Sequence, residues 1–124
     1  MNVALWIVQG ALALVFGGSG IVKATRDRKR LFDDGITWVE DFPAGAIKAI
    51  GVLEVLAAIG LILPAVTGIA PVLTPLAAVG LAVLMAGACV VHYRRGELPF
   101  IGVTAGLLAA AAFVAWGRFG PYAF

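Results

Sequence analysis

The stretch that decides the fold is Ala44-Gly45-Ala46-Ile47-Lys48-Ala49-Ile50-Gly51-Val52-Leu53-Glu54-Val55-Leu56-Ala57-Ala58-Ile59-Gly60-Leu61-Ile62-Leu63. A hydrocarbon core about 30 Å thick is crossed by about 20 mostly apolar residues of helix, and this run has that length. Its only charges are a lysine near the start and one carboxylate in the middle. Lipid offers no partners for backbone N–H and C=O groups, so a crossing segment is either a helix or a strand of a closed barrel. A barrel strand would alternate polar and apolar residues, and this run does not. It reads as a helix.

Working outward, residues 3–22, 72–91 and 98–116 form three further runs of the same kind. The whole chain of 124 residues is 62% hydrophobic with a further 16 glycines, and only 13% of it is charged. That balance excludes an average soluble domain and a disordered chain. A single cysteine, Cys89, excludes an intrachain disulfide framework. The expectation is an all-α polytopic membrane protein, a four-transmembrane-helix bundle forming one domain over 1–124, with spans 3–22, 44–63, 72–91 and 98–116. The steps Leu63-Pro64 and Ala70-Pro71 bracket a short uncharged turn, and proline is expected to end the second helix there.

Charge sets the expected orientation. Lys23, Arg26, Arg28, Lys29 and Arg30 follow the first span and Arg94 with Arg95 follow the third, against Arg118 alone on the other side. Basic loops are retained in the cytoplasm, so both termini are expected outside and the two basic loops inside. The charges lie between the apolar runs, so lipid headgroups rather than nucleic acid are their expected partner. The connection 24–43 mixes these cations with Leu31, Phe32, Ile36 and Trp38, as a segment lying on the inner membrane surface would.

Helical spacing then sorts the faces. Positions 51, 54, 57 and 58 share one side and read Gly, Glu, Ala, Ala; the opposite side reads Val52, Val55, Ile59, Ile62 and Leu63. Glu54 is therefore expected to point inward, about 15 Å deep at 1.5 Å per residue. An ionisable group at that depth is a functional candidate by default: a proton-handling or ligand-anchoring acid, or else a neutral glutamic acid whose hydroxyl fixes packing. His92, on one face with Cys89, Met85 and Ala82 at the inner end of the third span, is either a ligand-binding imidazole or an interfacial hydrogen-bond donor. Helical rise separates it from Glu54 by about 15 Å in depth. Lys48 and Lys23 lie close enough to the inner boundary to snorkel, and with His92 their amines could receive an anionic or carbonyl-bearing ligand. Gln9 is the strongly polar residue of span one and is expected to bond across helices.

Small residues at helical spacing let backbones approach in lipid. They recur as Gly10, Ala13, Gly17 and Gly20, as Ala78, Ala82 and Ala86, and as Gly102, Gly106 and Ala110. Other chemistries lack their residues. There is no Cys-x-x-Cys thiol relay, no pair of histidines for haem, no metal-ligand cluster and no phosphate-cradling glycine loop, so metal, haem and nucleotide cofactors are not expected.

Two segments carry a family resemblance. One is Trp38-Val39-Glu40-Asp41-Phe42 leading into Ile50-Gly51-Val52-Leu53-Glu54-Val55-Leu56-Ala57-Ala58-Ile59-Gly60-Leu61-Ile62-Leu63-Pro64. The other is Pro75-Leu76-Ala77-Ala78-Val79-Gly80-Leu81, continuing to His92-Tyr93-Arg94-Arg95-Gly96-Glu97. Together they resemble the DoxX-like family of small four-helix bacterial membrane proteins. The resemblance implies a compact four-helix fold in the bacterial inner membrane, with Glu54, His92 and Arg95 at the family's motif positions.

Three readings of the activity stay open at this point. The first is a membrane accessory protein that holds a quinone or lipid in a cavity around Glu54, using Glu54, His92, Lys48 and Gln9. The second is a quinone-linked redox subunit in which Glu54 or His92 handles the proton. The third is an assembly or scaffold protein without a small ligand, pairing its Gly102/Gly106 face with another membrane protein or a second copy. No redox group is carried by the chain itself, so catalysis would need a partner or bound cofactor.

Overall fold

A computed structural model describes residues 2–123. Its elements in order are α1 (Asn2–Thr25), the short α2 (Arg28–Asp33), a 3-10 turn (Thr37–Asp41), α3 (Ala44–Thr67), α4 (Leu73–Arg94) and α5 (Leu98–Phe119). Four of these helices are long and apolar enough to cross a membrane, and no strand occurs among the described residues. Only 22–28% of each span's most apolar window is buried inside the protein. The rest turns Ile7, Leu14, Leu53, Leu56, Val83 and Val103 outward, an apolar surface far too continuous for a soluble monomer. This is a multi-pass membrane protein.

The long helices pack in the cyclic order α1–α3–α4–α5, with α5 returning to α1. Side-chain bulk decides how closely they meet. A Cβ on Gly20 of α1 would lie 2.6 Å from the carbonyl oxygen of Gly51 on α3, and one on Gly51 would lie 2.7 Å from that of Gly20. Only hydrogen fits at either position. Gly17 faces Ala58 and Gln9 reaches Leu61, so sequence numbers fall along one helix as they rise along the other. α1 and α3 are antiparallel. Gly60 of α3 similarly admits Ala77 of α4, and Gly117 of α5 admits Leu5 of α1. Gly102 and Gly106, by contrast, face open space, and of their stripe Ala110 alone packs against the core.

Pro64 does not end α3, which continues to Thr67 and stops at Gly68, a left-handed residue with φ +72° whose N–H bonds the Pro64 carbonyl. Proline lacks the N–H that would satisfy the carbonyl one turn back, here that of Gly60. The hydroxyl of Thr74 on α4 donates to that oxygen at 3.0 Å. A neighbouring helix thus restores the missing bond, as buried backbone in lipid requires.

Two apolar clusters hold the structure. Leu12, Phe16, Leu61, Ala78, Leu81, Met85, Ala111 and Val114 form the one between the spans. Leu31, Val39 and Ile47 form the other, with Val22, Trp38 and Phe42 packed around it. The second cluster seats α2 and the 3-10 turn on the ends of α1 and α3, where they roof one end of the helices.

Candidate functional site

The site grows from the α1–α3 crossing. Lys23 stands three residues after Gly20 and Glu54 three after Gly51, so each charge shares a face with the glycine of the crossing. A helical Cα–Cβ bond tilts toward its own N-terminus. On antiparallel helices, Lys23 therefore leans inward from the basic-loop end while Glu54, near the middle of α3, leans back to meet it. Lys23 Nζ donates to Glu54 Oε1 at 2.8 Å, and it also lies 5.3 Å from the centroid of the Trp38 ring, within cation–π range. Glu54 is only 1% exposed. A buried carboxylate is tolerated when a cation is paired with it, and its Oε2 remains buried with no hydrogen-bond partner among the described residues.

Beside this pair opens a cavity of about 430 Å³. Lys23 and Glu54 contribute to one wall, Trp38 and Phe42 close the basic-loop end, and His92 of α4 with Thr104 of α5 stand on another side. Most of the remaining lining is apolar, including Phe16, Ile50 and Leu107. Helical rise had set Glu54 and His92 well apart in depth. They make no direct bond, yet one cavity takes both into its lining because it runs along α4 from Val83 to His92.

His92 is also tied outward. Its Nδ1 lies 3.0 Å from Glu97 Oε1, and the ring stacks on Phe100 at 5.3 Å between centroids. Glu97 sits in the turn between α4 and α5, where Thr37 donates to its Oε2 at 3.1 Å and Arg95 Nε donates to its Oε1 at 3.1 Å. The hydrogen bond from His92, helped by Thr37 and Arg95, holds the Glu97 carboxyl below its ordinary range although burial opposes this. An ionised carboxylate has no proton to offer, so His92 presents Nδ1–H to it, and its Nε2 is the ring nitrogen left for a ligand. Arg95 continues the chain to Asp41 at 2.7 Å and Glu40 at 2.8 Å. Those two bonds hold its guanidinium charge above even the usual arginine range. Thr37, Glu40 and Asp41 all belong to the 3-10 turn, so Arg95 and Glu97 fasten the segment that carries Trp38 against the cavity.

The other proposed site residues lie elsewhere. Lys48 is exposed and does not line the cavity. Gln9 is fully buried toward the opposite end, donating to the Leu61 carbonyl at 2.8 Å and accepting from Arg118 Nε at 2.7 Å. Arg118, at 3% exposure, also bonds Asn2 Oδ1 and the Tyr122 carbonyl and lies over the Trp6 ring. Sequence reasoning did not foresee the Lys23–Glu54 pairing, the Glu97 and Arg95 ties, or the burial of Arg118. The repeated spacing Gly-x-x-Lys and Gly-x-x-Glu was the signal available for the first. No group of three or more His, Cys, Asp or Glu side chains converges as a metal site among the described residues.

Compared with known proteins, residues 7–114 match the family model described as the DoxX-like family. No curated protein and no solved structure matches the chain.

Proposed function

The chain belongs to the DoxX-like family, and from that premise we propose that it is a membrane accessory protein that holds a quinone in the cavity beside Glu54. The observation that carries this reading is the joint presence of the Lys23–Glu54 pair and His92 in the lining of one apolar cavity. Its volume of about 430 Å³ falls within the roughly 300–1,000 Å³ of small-molecule sites. Charge selects the headgroup. Lys23 is already neutralised by Glu54, so a lipid phosphate would gain little there and would be repelled by the carboxylate. A neutral ring gains more: its carbonyl can accept from Lys23, its hydroxyl in the reduced form can donate to His92 Nε2, and its flat faces suit Trp38 and Phe42.

By the distribution of basic loops, this end of the protein faces the cytoplasm of a bacterial inner membrane, with both termini outside. Organic extraction of protein purified from native membrane should release quinone, and Glu54→Gln or His92→Ala should lower the amount recovered. A clean extract, together with no binding of added quinone to the purified protein, refutes the reading. Labelling of single cysteines at Thr37 and Thr67, in a Cys89→Ala background, should occur from opposite sides of the membrane.

A second reading draws on a separate observation. Gly102 and Gly106 open onto empty space on the outer face of α5, where another transmembrane helix could approach closely. Gly106→Leu should then release a co-purifying membrane protein; unchanged co-purification counts against this partner face.

A further inference from the structure

The basic run after α1 is more than a solvated loop. Asp27 caps α2, accepting from the Arg30 backbone N–H at 2.8 Å, and Leu31 is fully buried against Val39 and Ile47. This anchor lays α2 against the end of the spans and leaves Arg28, Lys29 and Phe32 outward. The cations nearby are not equivalent. Arg26 and Arg30 lean on Asp34, Arg95 is held by Glu40, Asp41 and Glu97, and Lys23 is held by Glu54. Arg28 and Lys29 form no ion pair among the described residues.

Arg28 is nevertheless fixed in place. Its Nε donates to the Val39 carbonyl at 3.1 Å and its Nη2 to the Glu40 carbonyl at 2.7 Å. These neutral acceptors position the guanidinium without cancelling its charge. Arg28 and Lys29 flank an open groove of about 460 Å³ whose remaining lining is Phe32, Val39 and Glu40. The Glu40 carboxylate on its rim is engaged by Arg95 at 2.8 Å. Phe32, 42% exposed, adds an aromatic ring to this surface.

We infer that this groove binds the headgroup of one anionic phospholipid, with Arg28 and Lys29 on its phosphate and Phe32 against the start of its acyl chains. Two cations without an ion-pair partner on one groove favour an anion there. A zwitterionic headgroup brings its own ammonium and satisfies them less well, and a free phosphate makes no use of the apolar ring. None of the groove residues belongs to the cavity lining, so this site stands or falls independently of the quinone reading.

The test uses the full chain reconstituted in nanodiscs of phosphatidylcholine, with or without phosphatidylglycerol, and counts retained phospholipid by native mass spectrometry. Wild type should hold one phosphatidylglycerol in preference to phosphatidylcholine. R28Q/K29Q should lower that retention by about thirtyfold, as losing two surface cations near an anionic membrane implies. Lys29→Gln alone, which removes no side-chain hydrogen bond or ion pair among the described residues, should produce a partial loss even if the double variant disturbs the loop. R94Q/K48Q, removing two other exposed cations, should leave retention unchanged, and millimolar inorganic phosphate should not displace the lipid. No preference for phosphatidylglycerol, an equal loss in R94Q/K48Q, retention unchanged in Lys29→Gln, or displacement by phosphate would each overturn the inference.

Discussion

Lys23 and Glu54 are joined at 2.8 Å beside the Gly20–Gly51 crossing, where α1 and α3 touch backbone to backbone. Each residue makes the other admissible inside an apolar membrane segment. Removing either one strands a charge, and strands it where solvent relieves it least.

Lys23→Met and Glu54→Gln should each therefore lower stability by about 3–5 kcal/mol, the usual cost of breaking a buried pair from one side. The double replacement K23M/E54M should recover most of the loss. Equilibrium unfolding in mixed detergent micelles measures all three, and single-variant losses below about 1 kcal/mol would mean that the pair is effectively solvated.

The glycines of the crossing make a second, contrasting expectation. Gly20→Ala and Gly51→Ala place a methyl within 2.6–2.7 Å of backbone atoms, so the helices must separate, at a cost of about 1–3 kcal/mol for overpacking. Gly102→Ala meets nothing within 4 Å and should stay within about 0.5 kcal/mol of wild type. The same unfolding measurement separates the two classes.

Thr74→Val should expose the role of the borrowed hydrogen bond. It leaves the Gly60 carbonyl without its donor, worth about 1–3 kcal/mol for a buried group. Adding Pro64→Ala to that variant restores a backbone N–H one turn along and should return part of the stability. A double-mutant cycle with no coupling between positions 64 and 74 would rule the explanation out.

Acid should loosen the roof of the cavity before it unfolds the spans. The Glu97 carboxyl is held below its ordinary value of 4.5, so its contribution is complete above that value and is lost as pH falls through the lower folded-state value. Hydrogen exchange in residues 37–41 should accelerate on this descent. In Glu97→Gln, exchange there should already be fast at neutral pH and should lose most of this acid dependence. A profile identical to wild type would show that the carboxylate does not fasten the turn.

How much of this was legible in the sequence follows from what periodicity records. The inward face of α3, with Gly51, Glu54 and Ala58 buried, could be read directly because its neighbours Val52 and Ile59 are bulky and exposed. Periodicity places Cα positions, though, and not the reach of long side chains, so Lys23 was assigned to the headgroups when its ammonium turns back toward the carboxylate. Glu97 escaped because it lies in a turn, where no helical spacing relates it to His92 or Thr37. Pro64 was read as a stop because the Thr74 hydroxyl that rescues its helix comes from the next one. Gly-x-x-x-Gly announces that close approach is permitted, not by what: Gly102 and Gly106 meet nothing among the described residues, while isolated Gly117 receives Leu5.

The crossing of α1 and α3 also decides which parts of the molecule can move. Backbone in contact with backbone cannot be compressed, and an ion pair in oil resists being stretched, so these two helices form a riveted seam. Any breathing of the chamber beside it must come from the opposite wall, α4 and α5, or from the roof that bears Trp38.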